Sequence, residues 1–485
     1  MTHLFPVPNS YQVELAVYSK FGCTDSITKT VPIRPYVYFD QQEGNVYTQD
    51  FETGGNGWVS EAQEKHGLNT WKLGKPSGDI IDRTPDQSGS QIWYTDVNYP
   101  DHQPEKSFIT SPCFDFSALD RPMLKIDIWS ASDQYRDGAN IQYTTDGGNN
   151  WTNIGTTDDG IQWYNYTRIA GEPGGEREGW SVSEPDTTWR EARNNLDEVS
   201  GLDNVQFRIA YGSDGNEVNE FEGFAFDNIW IGDRTRQAVI EHFTNSNSET
   251  ARSSDLNNIY PLAKDNADDV IDVHYHTPYP AADQMNKNYP AGPIARSGYY
   301  GVSDVPYTIL DGNYAKYNYA SGNTPSENDL QTRILMDPSF DIEPIVEIVD
   351  SFVKVETHIS ALQKLSEEDL SVYTFVLEEE VSGGEWGENQ DDIYRNVVKT
   401  ILPNPGGQRF IRNWSAGDEE TVMNVWEMKD VYEVEQLQVV VFVQNNVTKE
   451  IYQSAVATAG SVDTTIVTGT RPELDQFPEY TLYPN

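Results

Sequence analysis

The stretch from Ala238 to Gly312 alternates between strand-like and helix-like apolar patterns, which restricts it to an α/β arrangement. Ala238–Phe243 is a short run with the composition of a buried strand. Between Glu249 and Lys264, residues Leu256, Ile259, Tyr260 and Ala263 fall on one helical face. Val270–His276 reads as a second strand. Thr324-Pro325-Ser326-Glu327 reads as a capping box with proline at the first helical position, opening a helix toward Met336.

Two details sharpen this reading. Val305-Pro306-Tyr307-Thr308 stands where thioredoxin-type folds place a cis-proline, and the segment resembles that fold. The turn after its first strand is Thr244-Asn245-Ser246-Asn247-Ser248, where a redox member would carry C-x-x-C. Thiol–disulfide exchange needs a thiolate, and this turn supplies none. The chain is therefore expected to keep a fold without its chemistry and not to be an enzyme. No H-E-x-x-H, G-x-S-x-G or Walker sequence is present either. Acid pairs such as Asp158-Asp159 could flank a glycosidic bond, but among 77 acidic residues such pairs arise by chance.

Charge removes further classes. Against those 77 acids stand 33 lysines and arginines, a net charge of −44, which excludes nucleic acid as a partner and electrostatic docking on anionic lipid. The acids are interspersed with aromatics, so this is a solvated shell of a folded chain, suited to a secreted protein or a saline habitat. The two cysteines, Cys23 and Cys113, are assigned to different domains, so no disulfide framework is expected. No apolar run approaches the length of a membrane helix, Val439–Val443 being among the longest, so the chain is not expected to span a membrane. Met1-Thr2-His3-Leu4-Phe5-Pro6 lacks a basic region followed by an apolar stretch, so it is not a signal peptide, and the natural N-terminus is expected upstream.

The rest reads mostly as β. Val13, Leu15 and Val17 alternate with polar residues, and Ser26–Ile33 forms a second strand after the turn at Phe21-Gly22-Cys23. Residues 1–35 resemble the last two strands of a PKD domain, an immunoglobulin-like module, and are too few to bury a core alone. Residues 45–233 carry many short strand patterns rich in Trp, Gly and Asp, opening with Phe51-Glu52-Thr53-Gly54-Gly55-Asn56-Gly57-Trp58 and closing with Gly223–Ile231. They resemble the MAM-type or concanavalin-like jelly rolls of secreted bacterial proteins. Within them Thr144-Thr145-Asp146-Gly147-Gly148-Asn149-Asn150-Trp151 resembles an Asp-box, in which Asp146 accepts turn N–H groups and Trp151 packs beneath. In 338–460, Val372–Leu377 is apolar on both faces and Gln438–Gln444 is a further strand, while Gly383–Gly387 is a turn-rich loop.

A second resemblance spans 237–460. Glu241-His242-Phe243-Thr244, His276, Asp283, Arg296, Tyr300, Val305-Pro306, Asp311-Gly312, Ile401-Leu402-Pro403, Gly406-Gly407 and Val441–Gln444 resemble the Omp28 family of Bacteroidota surface proteins. That resemblance implies a thioredoxin-like part, 237–337, and a β-sandwich part, 338–460. Many members carry C-x-x-C after the first strand; this chain departs there. The tail 461–485 reads as a linker ending in Tyr480-Thr481-Leu482-Tyr483-Pro484-Asn485, which resembles the opening of a type IX secretion C-terminal sorting domain.

Three constellations are candidate sites. Trp163, Tyr164, Tyr166, Trp180 and Trp189 could stack on sugar rings, or could pin long loops onto the sandwich. Asp50, Glu52 and Asp227 would converge on a structural Ca²⁺ if the first and last jelly-roll strands pair, or could be surface charge. His274 and His276 share one side of a strand, and with His242 and Asp283 could ligate a metal or simply line a loop. The resulting expectation is a modular secreted or cell-surface, outer-membrane-associated protein, a non-catalytic adhesion module exported by the type IX machinery. Its jelly roll would bind an extracellular glycan or protein. The alternatives are cargo or a component of that secretion machinery, or an accessory module of a secreted enzyme.

Overall fold

The computed structural model describes residues 9–62, 68–76, 81, 85, 91–95, 104–182, 188–215, 223–319, 322–382 and 393–458. The loop at 383–387 and the tail 461–485 lie outside them. The chain is mostly β and divides into two compact units. The first is Met1–Gln237 with Pro325–Asp337, and the second is Ala238–Thr324 with Pro338–Asn485.

The first unit contains a sandwich of two six-stranded sheets. One runs Thr152–Asn153, Gly138–Thr144, Val205–Ser213, Glu105–Asp115, Tyr36–Tyr38, with Val59–Ala62 also on Glu105–Asp115. The other runs Arg190–Asn195, Pro122–Ala131, Gly223–Asp233, Ile92–Tyr94, Lys72–Gly74. The first strand of this second sheet, Tyr47–Gln49, pairs with the last, Gly223–Asp233, as expected of a jelly roll. Alternate residues of each strand enter one core: Leu124, Ile126 and Ile128 from one sheet, Phe207, Ile209 and Tyr211 from the other. The Asp-box turn forms as expected. Asp146 accepts the Asn150 N–H at 2.9 Å, which with the Asn150 and Thr144 side chains lowers its carboxyl to about 2, and Gly147 and Gly148 take φ of 72° and 88°. Asn9–Tyr18 and Thr24–Ile33 form a separate hairpin in which Leu15 and Ile27, directly paired, are 61% and 62% exposed.

In the second unit the four strands Val270–His276, Ala238–Thr244, Tyr307–Leu310 and Ala315–Asn318 lie in that order, the first pair parallel and the rest antiparallel. The Val305–Pro306 peptide is cis, as the sequence predicts. The sheet does not end at its parallel edge. Val270–His276 pairs in parallel with Ile393–Leu402, and the sheet continues through Leu365–Ser382, Leu437–Asn445 and Ile451–Thr458. With Gln408–Trp414 also paired on Leu365–Ser382, the two parts assigned to 237–337 and 338–460 share one nine-stranded sheet, which leaves no unpaired edge between them. Its long strands separate two cores by simple alternation. Tyr373, Phe375, Leu377, Val440 and Phe442 enter one; Val372, Val376, Val439, Val441 and Val443 enter the other, under a sheet of Phe340–Val349, Phe352–Ala361 and Glu419–Glu427.

Two helices differ from expectation. The helix opened by Glu249 contains a π turn over Asp255–Ile259, with Pro261 just after it. The extra residue rotates the face, so Ala251, Ser254, Ile259 and Ala263 are buried whereas Leu256 is 53% exposed. The later helix, Glu327–Ile334, is capped by Ser326 with Asp329 closing the box, two residues beyond the expected Thr324 and Glu327, and it belongs with the first unit. Phe375→Ala should cost about 3–5 kcal/mol in urea unfolding, because Phe375 is fully buried; Ile411→Ala, at 67% exposure, should change stability by under about 0.5 kcal/mol.

Candidate functional site

The outer face of the second jelly-roll sheet carries a cleft of about 410 Å³. Strand alternation decides its lining. Because Leu124, Ile126 and Ile128 enter the core, Lys125 and Asp127 point outward. Trp230 is the register partner of Lys125, whose ammonium sits 4.5 Å from the ring centroid. A bulge between Asp227 and Trp230 sets Asn228 at φ 49°, and its amide donates to Asp127 at 2.9 Å. Thr48, Gln49 and Asp50 come from the first strand and its end, Glu191 from the edge strand. The segment that follows the Glu327–Ile334 helix is tied to the same sheet. Arg193 donates to the Leu335 carbonyl at 2.8 Å and to Asp337 at 2.9 Å, and Lys125 pairs with Asp337. Burial alone would raise the Asp337 carboxyl, but the Lys125 bond and charge, with Arg193, hold it below the usual range.

Residues singled out by sequence lie elsewhere in part. Trp163, Tyr164 and Trp180 are buried in the core, with their polar atoms satisfied internally. Trp163 Nε1 donates to the Ile154 carbonyl at 2.9 Å, and Trp180 Nε1 to the Gln162 carbonyl at 3.2 Å. The Tyr164 hydroxyl donates to the Ile141 carbonyl and accepts from the Ile141 N–H, each at 2.9 Å. These three rings are core and offer no face to a sugar, which corrects their assignment as a platform. Tyr166 is half-buried against Tyr135, with ring centroids 4.7 Å apart, and Trp189 is half-buried on the Ile81–Trp129 cluster. The expected carboxylates also part company. Asp50 lines the cleft, Glu52 accepts the Gln91 N–H at 3.0 Å, and Asp227 is buried opposite its register partner Asp127. Among the described residues, no three of His, Cys, Asp and Glu gather as metal ligands would. Asp159 holds a turn by accepting the Thr156 N–H at 2.6 Å.

In the second unit, the turn that would bear a redox pair is instead locked by hydrogen bonds. Asn245, fully buried, donates to the carbonyls of Thr277 and Ala281, each at 2.8 Å. The Ser246 N–H donates to Asp283 at 2.6 Å, and Ser248 caps the following helix through the Ala251 N–H. Asp283 also accepts the Asn286 N–H at 3.1 Å and meets His276 Nδ1 at 2.9 Å. Burial would push the Asp283 carboxyl up, but His276 and these two N–H groups reverse that and hold it well below the usual range.

His242, His274 and Asp272 lie on the sheet face under the π turn, as the strand period requires. The rings of His242 and His274, directly paired across the strands, are 5.2 Å apart. Each has its own carboxylate: His242 Nε2 lies 2.6 Å from Asp255, and His274 Nε2 lies 3.0 Å from Asp272. Burial lowers the His242 pKa and its neighbour His274 lowers it further; burial would lower His274 too, but the Asp272 bond and charge raise it above the ordinary value. Of the four residues grouped from sequence, His242 and His274 do meet on one sheet face, whereas His276 engages Asp283 instead, and among the described residues the four do not gather as metal ligands. The sequence did not reveal Asp255, which the π turn swings inward, or Arg395 and Asn396, which arrive on a distant strand.

No family model matches the chain, and no curated protein does. Solved structures show likeness. HBP35 of Porphyromonas gingivalis is 14% identical, with 51% of this chain and 83% of that one covered and a TM-score of 0.39. The K1 cleaved adhesin domain of Lys-gingipain from P. gingivalis W83 is 16% identical, covering 39% and 99%, with a TM-score of 0.25. A domain of the outer membrane lipoprotein Omp28 from P. gingivalis is 17% identical, covering 25% and 88%, with a TM-score of 0.19. No helix among the described residues is long and apolar enough to cross a membrane.

Two tests follow from this geometry. With Asp50, Glu52 and Asp227 apart, thermal melts in EDTA and then in excess Ca²⁺ should agree within about 1 °C; a larger calcium-dependent rise would mean that the carboxylates converge after all. Asp283 has a depressed carboxyl pKa, so its stabilisation is complete above the unfolded value near ~3.9 and is lost as pH falls below that. Asp283→Ala should therefore cost about 3 kcal/mol at pH 7 and lose much of that difference by about pH 2, read from urea midpoints across pH.

Proposed function

We propose that this protein is a non-catalytic binding protein of the extracellular or cell-surface kind, and that its jelly-roll unit holds a glycan on the Trp230 cleft. The observation that carries the reading is an indole on an outer sheet face, ringed by Asp50, Gln49, Asn228 and Glu191. Aromatic faces stack on the apolar faces of sugar rings, and carboxylates and amides bond hydroxyls, so ring and rim together suit a carbohydrate. The absence of cysteine from Thr244–Ser248, and the hydrogen bonds that lock that turn, support a role without redox chemistry. The −44 charge supports a solvated, exported chain, and the resemblance of Tyr480–Asn485 to the start of a sorting domain supports export by the type IX system.

The test is a glycan array followed by titration of the best hit. Trp230→Ala should weaken that ligand at least tenfold, about 1.4 kcal/mol, while Tyr135→Ala, 53% exposed and outside the cleft, should bind as the parent does. Equal binding by parent and Trp230→Ala would overturn the site. A chain silent on glycans but bound by a matrix protein through Trp230 would replace the sugar with a protein ligand.

A further inference from the structure

The second unit holds a separate cavity of about 160 Å³ between the π turn and the sheet. Its floor is Asp255, Asp272 and His274, and Arg252 and Arg395 line it. The two carboxylates are already engaged. Asp255 meets His242 at 2.6 Å and accepts the Thr244 hydroxyl at 2.9 Å; Asp272 meets His274 and accepts the Asn396 amide at 2.5 Å. Arg395 differs. Among the described residues it makes no hydrogen bond, and its Nε is buried without an acceptor. Glu380, its register partner, forms an ion pair with that nitrogen at 3.6 Å, beyond hydrogen-bond distance. The guanidinium carbon lies over Tyr260, 3.9 Å from the ring centroid, at the cavity wall. At the rim Leu256 and Ile393 are 53% and 43% exposed. An open guanidinium fork inside and apolar side chains outside match one kind of molecule: a carboxylate carried on a small apolar body.

We infer that this cavity is a binding site for a small apolar monocarboxylate, with Arg395 taking the carboxylate and Leu256 and Ile393 covering its body. This site is independent of the Trp230 cleft and lies in the other unit. The π turn is what builds it, since the added residue places Asp255 against His242 while leaving Leu256 at the surface.

The experiment titrates the full chain with benzoate and with benzamide, its neutral counterpart, following the thermal midpoint and the histidine ring signals by NMR. Benzoate should give a saturable rise in midpoint and move the His274 signal; benzamide should do neither. Arg395→Gln should weaken benzoate at least tenfold. Arg395 touches Tyr260, so its loss could disturb folding. Leu256→Glu, at an exposed position, is the second variant and should weaken benzoate by setting a negative charge at the rim. The proposal is overturned by the lack of a saturable response to benzoate, by an equal response to benzamide, or by a Leu256→Glu chain that binds benzoate as tightly as the parent.

Discussion

The second unit turns on one buried cation. Arg296, 1% exposed, reaches Glu241 at 2.9 Å through Nε, the Tyr300 hydroxyl at 2.8 Å, and the Gln444 amide oxygen at 2.9 Å. Its guanidinium also lies 4.7 Å from the Tyr373 ring centroid and 5.6 Å from that of Phe442. Those partners come from the first strand of the thioredoxin-like part, its long helix, and two strands of the sandwich part. A guanidinium cannot be buried unless its charge is matched and its donors are used, so the helix and the two halves of the sheet must assemble together. The sheet can be continuous because the charge at its centre has partners on both sides.

This pin accounts for several of the residues by which the sequence resembles the Omp28 family. Glu241, Arg296, Tyr300 and Gln444, all within the stretches that resemble the Omp28 family, form that network. His276 and Asp283, from the same set, hold the Thr244–Ser248 turn. Gly312 serves a similar end: its φ is 77°, and a Cβ there would sit 1.8 Å from the Lys449 carbonyl. The residues that carry the resemblance are thus mostly those that fix backbone and charge. Nothing in them requires a thiol, and the turn is held by the Asn245 and Ser248 side chains and the Ser246 backbone N–H.

What could be read from the sequence follows from which interactions are local. Val270–His276 is found at its exact bounds, and the two-faced apolar run at Val372–Leu377 divides two cores as its pattern demands, because strand period is a property of the chain itself. Both cleft systems depend on register instead. Lys125 meets Trp230, and His274 meets Val397, only through pairings between strands separated by about a hundred residues, and no spacing in the sequence encodes them. The aromatic stretch from Trp163 to Trp189 misleads for the same reason. Its density signals large rings, but whether a ring faces core or solvent is set by strands outside it, such as Gly138–Thr144 and Gly223–Asp233. The π turn is a local event that periodicity alone misses, since one added residue moves Leu256 outward without altering the composition of its face.

Net charge and local charge must also be kept apart. At −44 the chain repels anions at long range, and that field decays over about 8–10 Å at physiological salt. Inside the π-turn cavity the balance is different, because Asp255 and Asp272 are each bonded to a histidine and to a neutral donor, whereas Arg395, over Tyr260 and 3.6 Å from Glu380, makes no hydrogen bond among the described residues. An anion that arrives there is held by short-range geometry and gains nothing from steering. The Trp230 cleft is the opposite case. Its cation, Lys125, is bonded to Asp337 and laid over the indole, so the charges that remain at its rim are acidic, and they favour hydroxyl donors over anions. On the two proposals made above, the units would select different chemistry on a similarly acidic background, and in each the selection would be made by which side chains have already used their hydrogen bonds.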